Sequence, residues 1–317
     1  MRSALAVGIF IALAASRASA EEGVTLKWKF KPGQTSYYTS SQDMKINVKQ
    51  GIVAQEMLMK QTSDVRWEVE SVDDDGNAHV TQTIERIRSE SGPAEDTVTF
   101  DSKDDQPPKD VDESSIEALR AGINQPVHLV LDPSGKVLDV RLSEQFAQKI
   151  KESPQYGPLA MMFSRENLKQ MASINTIELP NKPVTKGSTW EQESTLADQV
   201  AGKQKLTTTY RYDGAEEHDG RRLEKISASA KISPADEKKL SPVTVKDQKL
   251  NGVIWFDRGS GRIDEMQMTI KVASEAVAGA NKIEQIMLTK LHTKLVDKPA
   301  DAQTKPKKSA AKKAEDL

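Results

Sequence analysis

The chain has 317 residues, no Cys, and 45 basic against 47 acidic side chains, which gives a formal net charge of −2. Without thiolates, disulfide scaffolds, zinc ribbons and iron–sulfur clusters are excluded. The balanced charge argues against a nucleic-acid-binding protein, because such a protein needs a clustered basic surface. Since disorder requires a high net charge as well as low hydrophobicity, we expect a folded but polar protein.

Residues 1–20 have the pattern of a secretory signal peptide: Arg2 precedes an apolar run of 12 residues, and small residues end the segment. This run is too short for a membrane-spanning helix, which needs roughly 20 apolar residues. Glu21 follows at the position where a lipoprotein would carry a Cys. We therefore expect an exported, soluble protein of the periplasm or the extracellular space that neither spans a membrane nor carries a lipid anchor.

Alternation of apolar and polar residues predicts β-strands along most of the mature chain. The first is Val24 to Lys31, and we expect Trp28 on its apolar side and Trp67 further on to lie in the core. Other strands are predicted at 44–48, 65–69, 78–88, 127–131, 136–141, 206–212, 223–232, 253–257, 262–272 and 281–296. Gly-containing turns, such as the one at 73–77, separate them. One face of nearly every strand is polar, which is typical of antiparallel sheets with one side toward water.

Helices are few and lie in the middle of the chain. A capping box at 114–117 predicts one helix that ends near Gly122. Ser143 can cap a second helix that runs to about Lys151, and Ser164 can cap a third that runs through Met171.

The order of strands and turns recurs in two halves of the chain, which predicts a duplicated β unit. The predicted organisation is a signal peptide (1–20), a first β unit (21–140), a helical insert (141–180), a second β unit (181–297) and a disordered Ala/Lys-rich tail (298–317). The alternative is coincidence, since turn residues recur in any antiparallel protein. The expected fold is mainly β, with long antiparallel strands in curved sheets or an open half-barrel and a few short helices inserted mid-chain.

Five segments are informative together: LKWKFKPG at 26–33, WEVESVDDDG at 67–76, QTIERI at 82–87, DPSGKV at 132–137 and GSTW at 187–190. They resemble an uncharacterised family of exported, β-rich bacterial proteins that is catalogued only as a domain of unknown function. The resemblance covers about residues 24–296. It implies an exported β-rich protein, and it implies no activity and no site residue because its motifs are strands and turns.

No catalytic or metal-binding motif stands out. The four histidines, His79, His128, His218 and His292, are far apart in sequence, and His-Glu-x-x-His and Gly-x-Ser-x-Gly are absent. We interpret them as strand and turn residues, although ligands could still assemble in space. The acidic turn at 73–76 lacks the Glu and the flanking helices of an EF-hand, so a hairpin turn is favoured over a weak surface calcium contact. We predict no catalytic residue, no metal site and no cofactor.

The apolar stretch at 158–163 and the helix after it form the most suggestive segment. Because Met adapts to irregular shapes, such an insert could act as a lid over a hydrophobic groove. The candidate ligand-binding residues are Met161, Met162, Phe163, Leu168 and Met171. The alternative is that the insert only covers an open sheet face.

We therefore expect a non-catalytic envelope protein that binds an apolar or extended ligand, or a partner, on a β-sheet face. The expected partners are a lipid or other apolar ligand, or an envelope protein, and not nucleic acid. One alternative is an interaction module that uses its sheet edges. The other is an exported hydrolase acting on envelope or environmental polymer, which needs His, Ser or paired carboxylates to converge in a pocket.

Overall fold

The computed structural model describes residues 22–104, 113–152, 163–198, 202–234, 243–278 and 281–298. Strands make up 66% of the structure and helices 10%, which confirms the mainly-β prediction. The predicted signal peptide and almost all of the predicted C-terminal tail lie outside the described residues.

The described part of the chain contains long strands in both halves, one helix within the first half and two helices between the halves. The strands are β1 (Thr35–Gln50), β2 (Val53–Val72), β3 (Ala78–Pro93), β4 (Val98–Asp101), β5 (Pro126–Leu131), β6 (Val137–Leu142), β7 (Thr189–Asp198), β8 (Gly202–His218), β9 (Arg221–Pro234), β10 (Val243–Asp257), β11 (Arg262–Ala278) and β12 (Asn281–Val296). The helices are α1 (Glu113–Gly122), α2 (Glu144–Glu152) and α3 (Arg165–Asn175).

All of these strands belong to one antiparallel sheet. Its order is β6-β5-β3-β2-β1-β12-β11-β10-β9-β8-β7, with β4 paired to β3. The halves meet at the centre, where β1 pairs with β12 from Tyr37 opposite Val296 to Gln50 opposite Ile283. The chain therefore runs outward from the centre to β6, crosses through the helices, and returns inward from β7.

The sheet is strongly curled, because one helix reaches both of its edges. A flat path of these strands would separate β6 from β7 by about 48 Å at a spacing of about 4.8 Å per strand. Helix α3 contacts both β6 and β7, although a helix is only about 10–12 Å wide. The sheet does not close on itself, and α3 lies across the opening between its edges.

Residues 22–34, which we call the N-terminal strap, correct the first predicted strand. Val24 forms a single bridge with Val184, and the rest of the strap lies outside the sheet and ends in a turn at Pro32 and Gly33. The backbone N–H of Lys29 donates to Gly261 O (3.0 Å), and Trp28 Nε1 donates to Ile177 O (3.0 Å). The period-2 pattern predicted a half-buried strand. The alternation of buried and exposed side chains is observed, but the backbone bonds to a single bridge and to connecting segments rather than along a neighbouring strand.

The strap fastens one end of the sheet, which we call the strap end. Leu26 and Trp28 pack into a cluster with β8–β11, and a second cluster joins α3 to β2, β3, β5 and β6. Phe30 packs against both clusters and stacks on Trp28 at 5.7 Å between ring centroids. The strap therefore connects the cores of the two halves, with Trp28 buried as predicted and Trp67 half-buried against the second cluster.

Helices α2 and α3 begin where the sequence predicts, whereas α1 begins at Glu113, one residue before the predicted capping serine. Ser143 Oγ accepts from the backbone N–H of Phe146, and Ser164 Oγ accepts from that of Asn167. Helix α2 ends within one residue of the predicted position, whereas α3 continues beyond Met171 to Asn175.

Equivalent contacts occur at the start of each half. Gly33 (φ 77°) donates to Val69 O of β2 at 2.8 Å, and Gly187 (φ 90°) donates to Tyr212 O of β8 at 2.8 Å. Both glycines adopt a backbone conformation that is costly for residues with a side chain. These contacts fit the predicted duplication, which stays a prediction.

Candidate functional site

The sheet has an inner face, on which the strap and the core clusters lie, and an outer face toward water. Since side chains on a strand alternate between faces, the register assigns each residue to one of them. Met266 and Ile254 lie in the core and are paired across β11 and β10. Residues at even spacing from them, and their partners on β12, β1 and β2, therefore belong to the inner face.

An apolar band crosses the inner face on the five central strands, between the core and the end of the sheet opposite the strap. We call it the inner apolar face. Two successive cross-strand rows form it: Met59, Met44, Thr289, Ile270 and Leu250, followed by Met57, Ile46, Met287, Val272 and Gln248. Met side chains adapt to ligands of variable shape, and four of them lie in these two rows.

The charge-free part of the inner face begins at the row of Ser63, Ser40, Thr293 and Met266. From this row to the end of the sheet opposite the strap, no inner-facing position in the paired registers of β2, β1, β12 and β11 carries a charged residue. The chain as a whole is 29% charged. The outer face holds the charges, in cross-strand pairs such as Lys45 with Glu56 (2.6 Å) and Lys60 with Glu90 (3.1 Å). Burying a charge is costly, so a charge-free face is suited to contact with an apolar surface.

The described residues leave this band without a packed cover. None of its members belongs to the three clusters of buried side chains that the described residues form. Thr289 and Leu250 are buried at 5% exposure each, most of the other members are half-buried, and Met57 is 41% exposed. Helix α1 packs to one side, where Ile116 contacts Ile87 and Phe100.

A polar row separates the inner apolar face from the core. Ser40 Oγ and Thr293 Oγ1 are 3.1 Å apart, and Gln61 Nε2 donates to Ser63 Oγ. These uncharged groups can donate or accept hydrogen bonds. A ligand on the band would therefore meet hydrogen-bonding groups at its inner end and apolar side chains along its length.

The predicted lid residues of the helical insert do not share one environment. Leu168 is buried in the cluster with β6, Phe163 packs edge-on against Phe146 (5.2 Å), and Met171 is 50% exposed. Met161 and Met162 lie outside the described residues. The described part of the insert covers the gap between the sheet edges, and ligand contact by these five residues stays a prediction.

A second constellation lies on the outer face, around a buried carboxylate. Glu265 is 3% exposed. Its oxygens contact His218 Nε2 (2.9 Å), His292 Nε2 (2.8 Å) and Lys294 Nζ (3.3 Å). Lys294 Nζ also lies 2.5 Å from Asp219 Oδ2. We call these five residues the Glu265 cluster.

The electrostatics of this cluster favour an ionised carboxylate. Burial opposes the charge of Glu265, but hydrogen bonds from His218, Gln267, His292 and Lys294 outweigh it and lower its pKa to about 2. The ligand atoms of His218, Asp219 and Glu265 lie within 4.8 Å of one another, close enough to share a metal ion. The Lys294 ammonium already contacts both carboxylates, so the cluster has its own cation.

The other two histidines, His79 and His128, line an outer-face cleft of about 300 Å³. His128 Nδ1 lies 2.9 Å from Thr81 Oγ1 and 3.7 Å from Glu70 Oε1. The cleft brings a carboxylate, a hydroxyl and an imidazole together. The Thr81 hydroxyl, however, is already hydrogen-bonded to Glu70.

The acidic turn between β2 and β3 has a structural role in the described chain. Asp73 Oδ1 accepts from the backbone N–H of Asp75 (3.1 Å) and of Asn77 (2.7 Å), and Oδ2 accepts from Asn77 Nδ2 (2.9 Å). These bonds lower the pKa of Asp73. They stabilise the hairpin turn that was predicted.

Sequence reasoning missed the Glu265 cluster and the inner apolar face as a whole. The interpretation of His218 and His292 as strand and turn residues is incomplete, because both contact one carboxylate: His292 through the pairing of β11 with β12, and His218 from the end of β8. Alternation identified single apolar strand faces, but only the register shows that those of β1, β2, β11 and β12 are adjacent.

The model of a family of unknown function, DUF6263, matches residues 75–263, which is more than half of the chain. The chain belongs to the DUF6263 family. This confirms the predicted resemblance to an uncharacterised family, and the match is shorter than the span expected from the sequence. No curated protein matches the chain in sequence.

A chain of lipovitellin, from a structure titled for its lipid–protein interactions, is similar in fold. The TM-score is 0.50 at 14% identity, over 87% of this chain and 27% of the lipovitellin chain. The present chain thus spans about a quarter of that relative. DynF of the dynemicin pathway of Micromonospora chersina matches 88% of this chain and 89% of its own at 7% identity, but with a TM-score of only 0.23.

The hypothetical lipoprotein YmcC of Escherichia coli matches 77% of this chain and 85% of its own, with 10% identity and a TM-score of 0.21. Scores this low carry no information on function. Among the residues that the structure describes, no helix is long and apolar enough to cross a membrane.

Proposed function

We propose that the protein is a non-catalytic, exported binding protein of the cell envelope that holds an apolar ligand, such as an acyl chain, on the inner face of its curled sheet. The observation that carries this proposal is the charge-free, half-buried inner apolar face. In water, such a surface gains roughly 25 cal/mol for each Å² that an apolar ligand covers.

The shape and chemistry of the face support an elongated ligand. The two rows of the inner apolar face cross five strands, which spans about 19 Å at a spacing of about 4.8 Å. Four methionines and the neighbouring aliphatic side chains offer no fixed polar pattern, so they suit acyl chains of varied length. The Ser40–Thr293 pair at the inner end can bind an uncharged polar group of such a ligand.

The similar fold of lipovitellin adds support by analogy, because the lipovitellin structure is described by its lipid–protein interactions. Fold alone does not give function. The signal-peptide pattern of residues 1–20 supports a ligand in the cell envelope or outside the cell.

Binding of the neutral fluorescent probe N-phenyl-1-naphthylamine tests the proposal. Ile270→Glu places a carboxylate on the inner apolar face, where Ile270 pairs with Leu250 and Thr289. Thr269→Glu adds the same charge to the adjacent outer-face position, opposite Lys290. We expect Ile270→Glu to weaken probe binding by at least about tenfold, because a buried carboxylate costs more than about 1.4 kcal/mol.

Thr269→Glu should bind the probe as the wild-type chain does. Equal binding by both variants, or no binding by the wild-type chain, would contradict the proposal. Circular dichroism of each variant confirms that the sheet is intact before the affinities are compared.

A further inference from the structure

The end of the sheet opposite the strap carries exposed aliphatic side chains on two adjacent hairpins. Ile52, at the tip of the β1–β2 hairpin, is fully exposed, and Val53 beside it is 56% exposed. Val277, near the end of β11, is 64% exposed. Large side chains of this kind are rarely left in water without a role when they lie together.

The register places these residues on one rim. On β1, Gln50 pairs with Val53 of β2 and with Ile283 of β12. On β12, Lys282 pairs with Val277 of β11. Because only β1 and β12 lie between β2 and β11, Ile52 and Val53 are about 14 Å from Val277. We call the group formed by Ile52, Val53 and Val277 the rim residues.

We infer that the rim residues dock the open end of the sheet onto a phospholipid bilayer. This inference rests on the proposed function, because docking would place the end of the inner apolar face against the source of its ligand.

The path from the rim to the inner apolar face is continuous and uncharged. Beyond Val53 and Ile283 comes the row of Gln55, Val48 and Gln285, and then the row that begins with Met57. An acyl chain that left a bilayer at this rim would meet no ionised side chain on the inner face of these strands. It would therefore cross without the cost of desolvating a charge.

The chemistry of the rim favours a lipid surface over a protein partner. The rim residues are aliphatic and project from turns or strand ends, whereas protein hot spots are enriched in Trp, Tyr and Arg. Lys282, which is opposite Val277, already contacts Glu275 (3.0 Å) and Glu284 (2.8 Å). We therefore expect insertion of apolar side chains to dominate, with little dependence on anionic lipid or on salt.

Vesicle co-sedimentation tests the docking. The probe is a vesicle of phosphatidylcholine alone, compared with one that also contains phosphatidylglycerol, each in low and high salt. The variant is the triple substitution Ile52→Ser, Val53→Ser and Val277→Ser. The matched control is Leu138→Ser, which changes an exposed (41%) aliphatic residue at the strap end.

We expect the wild-type chain and Leu138→Ser to bind both vesicles equally and at both salt concentrations. The triple variant should partition about 100-fold more weakly, because each aliphatic side chain removed from the bilayer gives about a fivefold change. These substitutions lie at exposed positions, so the folded state should be retained.

A triple variant that binds vesicles as the wild-type chain does would overturn the inference. So would binding that requires phosphatidylglycerol and is lost in high salt, since that result indicates attraction between charges. A wild-type chain that ignores vesicles but self-associates through the rim would also overturn it, in favour of an interface between copies.

A second readout separates this inference from the proposed function. The triple variant should still bind N-phenyl-1-naphthylamine in the absence of vesicles, because the inner apolar face is unchanged. If vesicle binding depends on the rim while the probe never binds, docking stands and the ligand-binding proposal fails. If the probe binds and vesicle binding does not depend on the rim, the docking inference alone fails.

Discussion

The junction of the N-terminal strap with the β5–β6 turn offers the sharpest test of how the sheet is held curled. Gly135 in this turn has φ 93°. A Cβ added there would lie 2.1 Å from Trp28 Nε1 and 2.6 Å from Ile177 O. The substitution Gly135→Ala therefore forces the Trp28 indole out of its site and breaks its bond to Ile177.

Gly187→Ala is a matched control, because Gly187 has φ 90° and nothing within 4 Å of an added Cβ. It measures the backbone cost of a side chain at positive φ alone, about 1–2 kcal/mol. Displacing a buried Trp adds about 3–5 kcal/mol. We expect Gly135→Ala to lower the free energy of unfolding by about 4–7 kcal/mol in total.

Urea unfolding followed by tryptophan fluorescence measures both values, since Trp28 itself reports on the strap. A Gly135→Ala chain that does not fold, beside a Gly187→Ala chain that does, would support the same conclusion. Equal destabilisation of the two variants would refute it, because it would mean that the strap does not pack against the β5–β6 turn.

Two further changes test local parts of the structure. Glu265 has a pKa of about 2, below its ordinary 4.5. The ionised carboxylate therefore stabilises the folded state by on the order of 3 kcal/mol. This stabilisation is complete above about pH 4.5 and is lost as the pH falls through about 2. Glu265→Gln should abolish that loss in acid urea titrations, and Glu275→Gln, a surface ion-pair control, should retain it. Asp132→Ala should lower the free energy of unfolding by about 1–2 kcal/mol, because Asp132 Oδ1 accepts from Ser134 N, Ser134 Oγ and Lys136 N; a thermal melt unchanged from wild type would contradict this.

The fold class could be predicted because alternation is a local property of each strand. The apolar side of residues 44–48 and that of Val65 and Trp67 do lie on the same inner face. The rim half of β2 was not predicted, since Ala54, Met57 and Leu58 leave no clean alternation of apolar and polar residues.

The sequence alone could not predict which distant strands pair. The β1–β12 pairing joins Tyr37 to Val296, and no local pattern records which strands are neighbours. The inner apolar face depends on that pairing, and the Glu265 cluster depends on the pairing of β11 with β12 and on the approach of the end of β8. The strap was misassigned for a related reason: extended chain and strand share one period, and they differ only in where their backbone groups bond.

The helical insert shows the limit of reasoning from composition. Its Met-rich segment predicted a lid, and that stays a prediction because Met161 and Met162 lie outside the described residues, while Leu168 packs into the core with β6. The methionines of the inner apolar face are Met44, Met57, Met59 and Met287, which lie on strands. Their role could not be read from the sequence because they belong to three different strands.

Native mass spectrometry of the chain purified from the cell envelope shows whether the inner apolar face holds a ligand there. We expect the wild-type and Thr269→Glu chains to carry the added mass of an acyl lipid, and the Ile270→Glu chain to carry none. A bare wild-type chain, or the same bound mass on Ile270→Glu, would contradict the claim that the inner apolar face holds the ligand.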